Sequence, residues 1–92
     1  MSRASFQSTV KTRDKRLVAL GQNVRKLRKL HKLSQESLAE KCGVHRTYLS
    51  DIERGARNLS LSVVLRIAAV FGISVAKLVS GIDSPSEKAV EP

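Results

Sequence analysis

The sequence predicts an all-α domain of five short helices, and three observations predict it. From Leu17 onward, apolar residues recur at three- and four-residue intervals. No segment shows the sustained two-residue alternation of a half-buried strand. Four places in the chain carry an apolar residue just before a capping position and another five residues later, the spacing of a hydrophobic staple at a helix start.

The first helix is expected near residues 17–31, where Leu17, Leu20, Val24, Leu27 and Leu30 make one stripe. Gly21 counts against a helix there, since glycine costs about 1 kcal/mol in a helix interior. The staples then place the other four: Leu33 with Leu38, Val44 with Leu49, Leu59 with Val64, and Ile73 with Leu78. Ser34, Ser60 and Ser74 are good N-caps because a hydroxyl can accept from a first-turn N–H, whereas His45 is an unusual one. The resulting helices are expected near 35–42, 46–54, 61–71 and 75–80. Gly43 suits a left-handed residue closing the second helix. The expected core combines Leu38, Ala39, Val44, Leu49 and Ile52 with Leu61, Val64, Leu65, Ala68 and Phe71, then Val75, Leu78 and Val79.

The 92 residues suffice for one domain. Residues 1–16 read as a basic arm, 17–81 as the domain and 82–92 as a loose tail containing both prolines. The net charge of +9 is unevenly placed. Residues 1–32 carry ten Lys/Arg against the single acid Asp14, while the remainder balances. Such a surface attracts nucleic acid through phosphate neutralisation and counterion release. No apolar run approaches the length needed to cross a bilayer, so no membrane partner is expected. One cysteine, Cys42, precludes an internal disulfide framework and fits a reducing cytoplasm. His31 and His45 form no spaced cluster with it, so no metal site or cofactor is expected, and no catalytic constellation appears.

The segment SQESLAEKCGVHRTYLSDIERG, Ser34–Gly55, carries the function. It reads as two short helices joined by a tight turn. With Leu49 and Ile52 facing inward, the hundred-degree helical step puts Thr47, Asp51 and Arg54 on the opposite side, with Ser50 beside them. Arg46 and Tyr48 flank that strip. A helix of this width enters the DNA major groove, where an arginine can donate two hydrogen bonds to guanine and a threonine can meet a thymine methyl. Arg46, Thr47, Ser50 and Asp51 are therefore the candidate base readers. Asp51 has a second use, holding Arg54 one turn away. Tyr48 either reaches the DNA or closes the core with its ring. Gln35, at the first turn of the preceding helix, can grip a phosphate together with exposed N–H groups. Arg54, Arg57 and Asn58 suit the backbone or groove edge. Arg28 and Glu53 face inward and are expected to pair as a structural salt bridge. Val70, Ile73, Val75 and Val79 are left as a candidate dimer seam, or as completion of the core.

From Leu17 to Gly81 the chain resembles the lambda repressor-like, or Cro/C1-type, helix-turn-helix family, on SQESLAEKCGV, YLSDIERG and LRIAAVFGISVAKLVSG. The resemblance implies a dimeric DNA-binding regulator. It matches Gln35 to a phosphate contact, Arg46, Thr47 and Asp51 to base-reading positions, and Arg28 with Glu53 to an internal ion pair. Within that family, RTYLSDIERGARNLS is most similar to the controller proteins of restriction–modification systems. That likeness matches Arg46, Thr47, Tyr48 and Ser50 to recognition-helix residues, and Arg57 and Asn58 to the loop that follows. The expected function is a sequence-specific transcriptional regulator, not an enzyme, binding duplex DNA as a homodimer on a pseudo-palindromic operator. The alternatives are an antitoxin-type regulator with a toxin partner, or a phage-type repressor.

Overall fold

In a computed structural model, described over residues 14–83, the chain forms five helices: α1 Lys15–Leu30, α2 Gln35–Cys42, α3 Arg46–Glu53, α4 Leu61–Phe71 and α5 Val75–Leu78. Most of residues 1–16 and 82–92, the expected arm and tail, lie outside the described residues. Lys15 and Arg16 belong to α1, and Ile82 packs partly against the core.

Local chemistry sets each helix boundary. Asp14 caps α1 by accepting from the Arg16 N–H at 2.8 Å, which starts the helix two residues ahead of its apolar stripe. Ser34, Ser60 and Ser74 cap α2, α4 and α5 by accepting from the N–H groups of Ser37, Val63 and Lys77. His45 occupies the cap position of α3 without a side-chain cap bond. At the end of α2, Gly43 takes φ 72°, and the Val44 N–H turns back to the Ala39 carbonyl at 3.0 Å. That left-handed residue is inexpensive for glycine and reverses the chain in three residues. Every staple pair delivers one buried residue (Leu38, Leu49, Val64, Leu78) and one half-buried residue packed on the core (Leu33, Val44, Leu59, Ile73).

The core is centred on Val24, Leu38, Leu49, Ile52, Ile67 and Leu78, all essentially inaccessible. Two expectations about it need correction. Leu61 and Leu65 are 67% and 51% exposed, and α4 instead buries Val63, Val64, Ile67, Ala68 and Phe71. Residues 61 and 65 lie about 40° apart on a helix and well away from the 63/67 side, so the two sets are competing stripes. Helix α4 is apolar around most of its circumference, and periodicity alone does not choose between them. Leu30 is likewise outside the core at 73% exposed.

Gly21 also has an explanation invisible to propensity. A Cβ there would sit 2.7 Å from the Glu53 carbonyl oxygen and closer still to that of Ile52. Reciprocally, a Cβ on Gly55 would lie 2.6 Å from the Val18 Cα. Helix α1 thus meets the C-terminal end of α3 almost backbone to backbone. Asn23 fastens the other side of α1, donating its Nδ2 to the carbonyls of Leu78 (2.8 Å) and Ser80 (3.1 Å).

Candidate nucleic-acid interface

Helices α2 and α3 pack together through Leu38, Ala39, Cys42, Leu49 and Ile52, all buried. With one side of α3 committed to that core, the sequence alternation decides what remains outside. Arg46, Thr47 and Arg54 are exposed, and Ser50 and Asp51 are half-buried beside them. The strip read from helical geometry is therefore brought together on one surface. Arg46 rests only loosely against α2, its Nε 3.8 Å from an exposed Glu36 carboxylate.

The inner edge of α3 is held by charge. Arg28 donates from Nε to Glu53 Oε2 at 2.6 Å and from Nη2 to Oε1 at 3.1 Å, and its Nη1 donates to the Leu33 carbonyl at 2.9 Å. The two side chains are 12% and 4% exposed. The hydrogen bonds to Glu53 raise the Arg28 pKa above its ordinary value, against the opposing effect of burial. The paired guanidinium and carboxylate, both drawn from sequence, do meet. Gln35 joins them: its Nε2 donates to Glu53 Oε1 at 3.0 Å. Its side chain is thereby turned inward as a brace, leaving the first-turn backbone of α2 as the part available to a phosphate.

The outer edge is organised around Asp51. Arg54 donates from Nη2 to Oδ1, and Arg57 from Nη2 to Oδ2 at 3.3 Å. The Arg57 guanidinium also lies 4.9 Å over the Tyr48 ring. Tyr48 packs partly against the core while its face carries that cation, so the ring closes the core and lines the edge together. Sequence reasoning anticipated the Asp51–Arg54 pair but missed Arg57, six residues on. The missing signal is the reversal at Gly55, where φ is 72° and the Ala56 N–H returns to the Asp51 carbonyl at 2.9 Å. Beside it opens a surface cleft of about 500 Å³ lined by Val44, His45, Thr47, Tyr48 and Arg57. Asn58 is exposed in the same loop.

The remaining sequence nominees sit elsewhere. Val70, Ile73, Val75 and Val79 are half-buried against the core of a single protomer. Cys42 is buried, which pushes its thiol pKa up. Among the described residues no group of three or more His, Cys, Asp or Glu side chains converges, and no helix is long and apolar enough to cross a membrane.

Comparison with known proteins identifies the family and the fold. The helix-turn-helix family profile matches residues 24–78. The control protein C.SmaI of Serratia marcescens is 46% identical over 61 residues, covering 66% of this chain and 73% of the relative. The crystal structure of the restriction-modification controller protein C.AhdI from Aeromonas hydrophila superposes with a TM-score of 0.66 at 44% identity, covering 67% of this chain and 94% of that one. The Bacillus subtilis biofilm regulator SinR, solved in complex with DNA, superposes with a TM-score of 0.63 at 39% identity, over 66% of this chain and 98% of its own.

Proposed function

We propose, since this chain belongs to the Cro/C1-type helix-turn-helix family and is a DNA-binding transcriptional regulator, that it serves as a restriction–modification controller acting on a pseudo-palindromic operator as a homodimer. The observation that carries the DNA reading is the outward strip of exposed Arg46 and Thr47 with half-buried Ser50, on a helix whose inner face is locked by Leu49, Ile52 and Glu53. In this reading each protomer seats α3 in a major groove, with the two grooves about one helical turn apart. Arg46, Thr47 and Ser50 address base edges. The first turn of α2 at Gln35, and the edge formed by Tyr48, Arg54, Arg57 and Asn58, address phosphates and register. Likeness to C.SmaI and C.AhdI supports the controller role.

A single protomer this small offers little contact area, and two-fold symmetry supplies both affinity and half-site spacing. We centre the dimer seam on Leu61 and Leu65, the large uncovered apolar side chains of α4, with Val70, Ile73, Val75 and Val79 already engaged in the protomer core.

Selection of bound duplexes from a random pool tests the whole reading. A two-fold symmetric motif is expected; an asymmetric or absent motif overturns it. On the selected site, Arg46→Ala or Thr47→Ala is expected to remove about 1–3 kcal/mol of discrimination against a scrambled duplex. Asn58→Ala is expected to weaken both duplexes alike. Equal losses for all three variants would refute the division between reading and positioning.

A further inference from the structure

We infer that Asp51 is a specificity-determining clamp, a positioning residue that withholds Arg54 and Arg57 from indiscriminate phosphate contact. The inference rests on the reading that α3 enters DNA. Its carboxylate is divided between two cations, Arg54 on Oδ1 and Arg57 on Oδ2 at 3.3 Å. The Asp51 side chain is only 18% exposed, while the two arginines are 57% and 50% exposed. The acid therefore sits beneath the two cations it restrains, with both of its oxygens engaged in the protein. A carboxylate so occupied is poorly placed to accept from cytosine N4, the base-reading role its helical position suggests.

The geometry makes this more than a surface ion pair. Arg57 is confined on two sides, by the carboxylate and by the Tyr48 ring 4.9 Å from its guanidinium carbon. The loop that returns it is tied to the same residue, through the Ala56 N–H to Asp51 carbonyl bond. The main chain thus holds the helix-exit loop beside Asp51, and the Asp51 carboxylate offsets the charge that the loop brings. Two arginines beside the readout strip count electrostatically as about one net positive charge. Arg57 is held at the rim of the cleft that Thr47 also lines.

Two consequences follow for binding. Phosphate neutralisation is sequence-independent, with each contact contributing about 0.9 to the slope of log K against log salt on B-DNA. Asp51 suppresses that contribution on random DNA, where nothing rewards a fixed arginine geometry. On the operator, the same clamp delivers Arg57 already oriented, so its ordering cost has been met in the free protein.

The test is Asp51→Asn, which keeps the side-chain shape and removes the charge. Binding to a random-sequence duplex is measured across a salt series by fluorescence anisotropy. The variant is expected to bind that duplex several-fold more tightly than wild type at low salt, with a log–log slope steeper by about one to two. On the selected operator the gain is expected to be smaller, so discrimination falls. In an Arg54→Ala/Arg57→Ala background the same substitution is expected to change the slope little. Glu40→Gln, which removes an exposed acid elsewhere on the motif, is the control for bulk charge. An unchanged slope in Asp51→Asn overturns the clamp, as does an equal gain on both duplexes or an undiminished effect without the two arginines. Should wild type itself fail to discriminate, the groove-reading proposal fails; the random-duplex salt series still decides whether Asp51 restrains the arginines.

Discussion

Arg28 and Glu53 carry different consequences from the residues around them, because both are nearly inaccessible and each is the other's principal compensation. Removing one partner leaves a desolvated charge, which costs about 3–5 kcal/mol, whereas replacing both by apolar residues of similar volume is often tolerated. Glu53→Gln is therefore expected to lower stability by about 3 kcal/mol or more in denaturant titration. The double variant Arg28→Met/Glu53→Leu is expected to recover much of that loss. Failure of the double variant to recover would mean that the added bonds to Gln35 and to the Leu33 carbonyl matter as much as the pair itself. The pairing was legible because both residues lie on inward helix edges. Recruitment of Gln35 was not, since its side chain had an equally reasonable outward use, and only the position of the Glu53 carboxylate decides between them.

At the scale of elements, the contact between α1 and the end of α3 is set by two absent side chains. Gly21 and Gly55 let the backbones approach where any Cβ would collide. Overpacking a close contact typically costs about 1–3 kcal/mol. Gly21→Ala and Gly55→Ala are each expected to reach the upper part of that range, despite alanine's better helix propensity at residue 21. In a domain of this size, 1 kcal/mol shifts the melting temperature by about 4–8 °C. Calorimetry should therefore show a clear drop for both variants. Gly72→Ala, where a Cβ would meet nothing within 4 Å, should lose less. A loss at Gly55 no larger than at Gly72 would reduce the effect there to its left-handed backbone, and an undiminished melting temperature in Gly21→Ala would overturn the close approach. A reader of the sequence sees Gly21 as a helix weakness, because propensity is local and the carbonyls of Ile52 and Glu53 are some thirty residues distant.

For the whole molecule, the proposed homodimer needs an apolar surface for a second copy to cover. Exposed Leu61 and Leu65 lie at the start of α4, directly after the loop that carries Arg57 and Asn58. A seam there would hold the two copies of α3 in a fixed relation. Leu65→Glu is expected to give a monomer by sedimentation equilibrium with an unchanged helical spectrum, since that side chain is not part of the protomer core. Operator affinity should fall with it. A variant that remains dimeric would move the seam to the half-buried group of Val70, Ile73, Val75 and Val79.

Sequence alone determined the five helices, their serine caps, the turn at Gly43 and the outward strip of α3. These follow from rules that act within one or two turns of chain: apolar spacing, a hydroxyl ahead of a first-turn N–H, and the angular step between successive residues. Tertiary structure decided which stripe of α4 faces inward, why Gly21 is glycine, where Gln35 points and what Asp51 holds. Each of those depends on a partner brought close by folding. Leu61 and Leu65 are as apolar as the residues that displaced them from the core. Their exposure is a property of how α4 is rotated against α2 and α5, and only the packed assembly selects that rotation.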